Sequence, residues 1–233
     1  MEAKNFLVKN GILKTYQAEP GEDGQYQVSV PDNVSSIGAE AFRNRNDIGL
    51  VTLPGTVKTI GKWSFAGCQY LQSAAMEAGV SAIGEHAFDF CERMTSVMLP
   101  GSVTTIGKRA FEGCRSLESV TVPQGVTAIG EGTFFGCKGL ARVEIPGSVT
   151  SVGKEAFSFC FRLEEVEIPA GVTTIGAEAF SYCHNLRRIA IPASVTAIGR
   201  QAFNECANLT IHAAPGSFAE TYAKKNKIRF IAE

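Results

Sequence analysis

VTTIGKRAFEGCRSLESVTVP, residues 103–123, decides the fold, because near-copies of it stand on both sides at one fixed spacing. Its glycine recurs at Gly38, Gly61, Gly84, Gly107, Gly130, Gly153, Gly176 and Gly199, each 23 residues after the last. Its phenylalanine keeps the same step from Phe42 through Phe65, Phe88, Phe111, Phe134, Phe157 and Phe180 to Phe203. Two columns holding one period mark a solenoid, in which each unit buries its apolar face against the next. One unit offers about six inward apolar groups worth roughly 1.5–3 kcal/mol each, against an ordering cost of about 1–2 kcal/mol for every backbone residue. A single unit therefore cannot fold alone, and the array needs covers at both ends.

Within each unit the phrase LxxVxIP, as at Leu117–Pro123, alternates apolar and polar positions, the signature of a half-buried strand with Val120 and Val122 inward. The proline cannot donate a ladder hydrogen bond, so it ends the strand and turns the chain. VTxIG then sends Val126 and Ile129 inward, and the glycine gives either a backbone conformation or a close approach denied to residues with a Cβ. AFxxC places Ala156, Phe157 and Cys160 so that Phe and Cys share one face of a single helical or 3-10 turn. One unit departs from this pattern: LQSAAMEAGV has Ala74 for the inward valine and Glu77 for the corner proline, so an irregular strand is expected there.

The ends carry different signals. Residues 6–16, FLVKNGILKTY, hold two short apolar runs around Asn10-Gly11, the pair suited to a type I′ hairpin turn. Residues 1–25 are read as an N-terminal cap, 26–212 as the array, and 213–233 as a C-terminal cap, all in one domain. In that last cap Ser217 and Glu220 have capping-box spacing, Phe218, Tyr222 and Ala223 form an apolar stripe, Asn226 is a helix stop, and KIRFI returns as a strand.

Of the 233 residues 45% are hydrophobic and 19% charged, the composition of an ordered chain that builds a core. A net charge of −1 provides no positive field for phosphate, so nucleic acid is not an expected partner. The N-terminal MEAKNFLVKNGILK has no apolar run of signal-peptide length, and no window approaches a transmembrane span, so membrane insertion is not expected.

The reiterated LxxVxIPxxVTxIGxxAFxxC resembles the BspA-like leucine-rich repeat family of bacteria, and GSFAETYAKKNKIRF is similar to that family's C-terminal cap. The resemblance covers Tyr26 to Glu233. It implies a mainly β, right-handed leucine-rich repeat solenoid of short parallel strands. It also implies a non-catalytic role at the cell surface or in secreted form, with a host or matrix protein as the partner class. The motif itself consists of core residues and carries no ligand contacts.

Chemistry-bearing residues add little to that picture. Cys68, Cys91, Cys114, Cys137, Cys160, Cys183 and Cys206 share one column, with Arg45 where the first would stand. Thiols in a column have parallel Cβ vectors, which suit neither disulfides nor a converging zinc site, so they are read as small buried core groups. His86, His184 and His212 fall in different columns, and only His184 beside Cys183 hints at a Cys/His nucleophile. No enzyme activity, cofactor or metal is expected.

Residues that break the repeat are more informative. On the outward face of the LxxVxI strand the N-terminal half is small and apolar, with Leu50, Ala75 and Met98 expected to be exposed. The C-terminal half gathers Arg142, Glu144, Glu165, Glu167 and Arg188. An apolar centre beside a charged margin suits a protein interface, and these eight residues are the candidate site. The alternative is a structural spacer with a solvated sheet. A second candidate surface is the aromatic group Tyr70, Phe90, Phe135, Phe159, Phe161 and Tyr182 around the AFxxC turns.

Overall fold

A computed structural model describes residues 5–19 and 21–233 and shows two parallel sheets wound by one rising coil. The first sheet runs through Tyr26–Ser29, Ile48–Leu53, Ser73–Met76, Ser96–Met98, Ser119–Thr121 and Arg142–Glu144, and resumes with Glu165–Glu167, Arg188–Ala190 and Thr210–Ala213. Two-residue strands, from Ser36–Ile37 to Ala197–Ile198, form the second sheet. Pairing follows the repeat, as in Ser119↔Arg142 and Thr174↔Ala197. Val120, Val122, Val126 and Ile129 are all buried between the sheets, as the alternation requires.

The phenylalanine column forms a spine. Neighbouring rings from Phe42 to Phe203 stack with centroids 4.7–5.6 Å apart and planes within 13° of parallel. That spacing is close to the separation of paired strands, so each ring sits on the next as the coils rise.

The AFxxC segment is not the helical or 3-10 turn that its spacing predicts. It is a run of tight turns whose backbone donors alternate between their own coil and the next. Ala156, Ser158 and Cys160 N–H groups donate three residues back to Gly153, Glu155 and Phe157, at 3.4, 3.1 and 3.3 Å. Glu155, Phe157 and Phe159 instead donate to Ala177, Ala179 and Ser181 of the next coil, at 2.9, 2.8 and 2.8 Å. This alternation requires positive φ at the second and sixth residues after the repeat glycine, met by Glu155 (56°) and Phe159 (61°) here and by Glu178 (58°) and Tyr182 (59°) one coil later. A positive φ at the third residue of a turn is the type II signature, for which glycine is the usual occupant. A helix would keep every donor within one coil and leave the stack unbonded.

The repeat glycines themselves do not have positive φ; they serve close approach. A Cβ on Gly153 would lie 2.7 Å from the carbonyl carbon of Gly130 and 2.8 Å from the nitrogen of Glu131. At Gly130 the nearest groups are 3.4 Å or more away, and here the second sheet is interrupted between Thr105–Ile106 and Ala128–Ile129. The first sheet is interrupted one coil later, between Arg142–Glu144 and Glu165–Glu167. The expected irregularity at Ala74–Glu77 does not occur. Ser73–Met76 pairs with both neighbours, Met76 is buried where other units carry Ile, Val or Leu, and the Glu77 carboxylate accepts from Gly55 N–H at 2.9 Å.

At the N-terminal end Phe6–Lys9 and Ile12–Tyr16 form the expected antiparallel hairpin, with φ of 52° at Asn10 and 72° at Gly11. The second of these strands pairs in parallel with Ser36–Ile37 and so closes the second sheet. Residues 1–4 of the predicted cap and Pro20 lie outside the described residues. At the other end a helix, Phe218–Asn226, starts on Ser217, whose side chain accepts from Glu220 N–H. The box is half formed, because the Glu220 carboxylate accepts from Gly216 N–H rather than from Ser217. Ala219 and Ala223 face the core, while Phe218, expected in the apolar stripe, is 43% exposed. Lys227 ends the helix in the left-handed region, and Arg229–Ala232 adds the last parallel strand beside Thr210–Ala213.

Candidate functional site: the outer face of the first sheet

Strand alternation decides which side chains leave the core. In Ser96–Met98 the middle valine is buried and the flanking residues are exposed, and the same pattern holds in Arg142–Glu144 and Glu165–Glu167. Parallel register then lines equivalent positions up across the coils. Ser29, Thr52, Ala75 and Met98 make one row, Gln27, Leu50, Ser73 and Ser96 another.

The apolar half is present but narrower than its sequence suggests. Met98 is 79% exposed and Ala75 is exposed beside it, above a shallow depression lined by Ser73, Glu77 and Ser96. Leu50 is half-buried rather than exposed, so the apolar centre is a two-residue patch of Ala75 and Met98 with Leu50 at its margin.

The charged half lies across the interruption of the first sheet. Arg142, Glu144, Glu165 and Glu167 are exposed there. Arg142 donates to Glu144 at 2.8 Å on its own strand, and Thr121 donates to the same carboxylate at 3.0 Å. Arg188 is half-buried, 3.7 Å from Glu167 and 3.4 Å from Glu233. Glu165 lies across from Arg188 in register. Exposed pairs of this kind contribute little stability, roughly 0–1 kcal/mol each, and stay available to exchange partners.

The turn side carries the second candidate surface, and only part of it comes together. Phe159 stacks on Tyr182 at 4.6 Å and meets Phe135 and Phe161 edge-on at 5.3 and 6.1 Å. Tyr70 stands apart beneath Arg93 at 4.1 Å, and Phe90 projects separately.

Thiol chemistry is absent from the surface. All seven cysteines are free and buried, and each Sγ donates to the phenylalanine carbonyl of the preceding coil, from Cys68 to Phe42 (2.9 Å) through Cys206 to Phe180 (3.1 Å). They are the small core groups that the repeat predicts, with a hydrogen-bonding role that the spacing does not show. Burial pushes the Cys68 and Cys206 thiols up to about 12, the reverse of an activated nucleophile. His184 is exposed and stacks on Phe161 at 5.0 Å, away from the buried Cys183 thiol. Arg45, at the head of the column, reaches Asp47 at 2.9 Å and the Ala18 carbonyl at 2.8 Å, which ties the N-terminal segment to the first coil.

One cluster escaped sequence reading: His86, Asp89 and Glu112 lie together on the turn side, His86 Nδ1 2.9 Å from Asp89 and 3.9 Å from Glu112. The signal was available in the repeat, since Asp89 and Glu112 occupy one column in adjacent coils with His86 three residues before Asp89. No helix among the described residues is long and apolar enough to cross a membrane.

Comparison with known proteins accords with this architecture. The family model for the BspA type leucine rich repeat region matches six copies, over residues 24–140 and 104–225. Among solved structures, a leucine rich repeat protein of T. pallidum superposes with a TM-score of 0.70 at 24% identity, covering 100% of this chain and 99% of that one. A leucine-rich repeat protein of Bacteroides ovatus gives 0.47 at 21% identity over 89% and 83% of the two chains. A leucine rich cell surface protein of Faecalibacterium prausnitzii gives 0.44 at 19% identity over 94% of each. A search of the curated proteins returns no match.

Proposed function

Because this chain belongs to the BspA-type leucine-rich repeat family, whose repeats generally form protein-interaction or structural modules, we propose that it is a non-catalytic module that binds a protein through the outer face of its first sheet. Met98, standing 79% exposed beside Ala75 on a rigid parallel sheet, carries the reading. A methionine in that position is an adaptable apolar anchor, and interfaces concentrate their energy in a few such desolvated contacts. Arg142, Glu144, Glu165, Glu167 and Arg188 would set orientation and on-rate, the usual part of marginal charges. The family resemblance extends the proposal to adhesion at a bacterial cell surface, with a host or matrix protein as the partner class.

A spacer role is the second reading, favoured by the mutual pairing of Arg142 with Glu144 and of Arg188 with Glu167 and Glu233, which satisfies most of the charged half without a partner. Capture from matrix extracts followed by affinity measurement separates the two. Met98→Glu is expected to weaken binding at least about tenfold, or 1.4 kcal/mol, with unchanged circular dichroism. Charge reversal at Arg142 and Arg188 is expected to weaken binding mainly at low salt, since exposed charges are screened within about 10 Å at 0.1 M. Native affinity in both variants moves the binding surface elsewhere, and the absence of any retained protein favours the spacer.

A further inference from the structure

We propose that His86, Asp89 and Glu112 form a site for one zinc-class divalent ion that clips two successive coils together. The nitrogen and carboxylate oxygens these residues offer all lie within 4.8 Å of one another. In a tetrahedral zinc site with bonds near 2.0–2.1 Å the donors stand about 3.3 Å apart. The observed 2.9 Å from His86 Nδ1 to Asp89 Oδ2 and 3.9 Å to Glu112 Oε2 fall on either side of that value. Small side-chain movements would bring the three donors onto one ion.

Two features separate this group from an ordinary surface cluster. Asp89 Oδ1 is buried and has no hydrogen-bond partner, although a buried carboxylate oxygen is costly to leave unsatisfied. Each neighbouring carboxylate has a cation: Glu85 is 2.8 Å from Lys62, Glu131 is 3.3 Å from Lys108, and Glu112 and Glu155 share Arg109 at 3.0 and 2.8 Å. Among the described residues Asp89 has the His86 ring as its one close pair, with the Arg109 charge acting on it from further away. Burial and the charge of Glu112, working against the His86 hydrogen bond, hold its carboxyl above the usual range. A divalent ion at this point would neutralise Asp89 and engage the Glu112 oxygen that Arg109 leaves free. On the far side of the ring Glu85, paired with Lys62, lies 3.9 Å from His86 Nε2, beyond hydrogen-bond distance.

The choice of ion follows from the donors. An imidazole with two carboxylates suits zinc and its first-row neighbours, whereas calcium takes six to eight oxygens, more than this group supplies. The coil stack makes the site: the 23-residue step puts Asp89 and Glu112 one rung apart, and His86, three residues before Asp89, stands beside both.

Trp63, the single tryptophan, lies with its ring centroid 5.8 Å from that of His86, so its fluorescence reports on the site. The test is titration of the tag-free full chain with zinc chloride under reductant, followed by calorimetry and by Trp63 emission. One ion per chain is expected, with a dissociation constant below about 10 μM and a change in Trp63 emission at the same midpoint. Asp89→Asn and Glu112→Gln are each expected to weaken binding at least tenfold, while His212→Gln leaves it unchanged. If Asp89→Asn fails to fold by circular dichroism, the half-buried Glu112→Gln variant decides. No saturable binding up to 100 μM overturns the proposal, as does binding that survives Glu112→Gln or disappears in His212→Gln.

Discussion

A cysteine in this chain is both filler and donor. Each thiol occupies the space beside the phenylalanine spine and donates to a phenylalanine carbonyl of the preceding coil, which also accepts from the backbone N–H three residues on. The column was legible in the sequence because it keeps the 23-residue step, and its burial follows from position. The donor role was not, because it depends on where carbonyls point in turns whose type the spacing does not reveal. It has a consequence at alkaline pH. An unfolded thiol ionises near pH 8.5, whereas burial holds the Cys68 and Cys206 thiols near 12. The folded state therefore keeps protons that the unfolded state releases. The stabilisation is complete below about pH 8.5 and falls as pH rises towards 12, by up to about 1.4 kcal/mol per pH unit for each thiol. Urea midpoints between pH 7.5 and 10.5 are expected to drop steeply, and Cys68→Ala is expected to flatten the slope by one thiol's share. Equal slopes in the two proteins would show that the thiol is not protected from ionisation.

At the scale of the coil, two kinds of backbone position are easily confused from sequence. The repeat glycine looks like a residue chosen for unusual dihedrals, yet it is chosen for absence of bulk, since a Cβ at Gly176 would come within 2.5 Å of Gly153 and Lys154 backbone atoms. The unusual dihedrals lie two and six residues later and are occupied by glycine only at Gly67, Gly113, Gly132 and Gly136, elsewhere by glutamate, phenylalanine, tyrosine, arginine and others, so they form no glycine column that the repeat would show. The side chains there are tolerated because the inter-coil hydrogen bonds fix the backbone. Gly176→Ala is thus expected to cost about 1–3 kcal/mol or more through overpacking. Glu178→Gly, at a φ of 58°, is expected to be neutral or to stabilise by up to about 1 kcal/mol, because relief of the left-handed strain opposes the entropy that glycine adds to the unfolded chain. Chemical denaturation of both variants checks this, and the reverse order of stabilities would contradict the assigned dihedrals.

Across the whole molecule the phenylalanine spine joins every coil to its neighbours, so a defect in a central coil is felt on both sides. Phe134 is fully buried between Phe111 and Phe157, and Phe134→Ala is expected to cost about 3–5 kcal/mol in denaturant unfolding. The solenoid, its hairpin cover and its helical cap were legible in the sequence, because period and alternation act on every unit alike. The candidate site was legible only as a row of outward positions: Met98 and Ala75 are where alternation puts them, while the partial burial of Leu50 and the pairing of Arg188 with Glu233 depend on neighbours that no repeat rule supplies. The interruption of the first sheet beside Glu165 was likewise invisible, since the motif continues through it unchanged.

The central claim is that a protein covers the apolar patch of this sheet, and Met98 reports on it directly. Met98 is 79% exposed, whereas Met76 and Met94 are buried, so dilute peroxide is expected to oxidise Met98 well ahead of those two. Mass spectrometry of the peptide containing Met98 gives the rate of sulfoxide formation with and without a protein captured from matrix extract. Saturating partner is expected to slow that rate at least about fivefold, in line with removal of a central contact from solvent. An unchanged Met98 rate in a demonstrably bound complex would contradict the account and place the partner on another face.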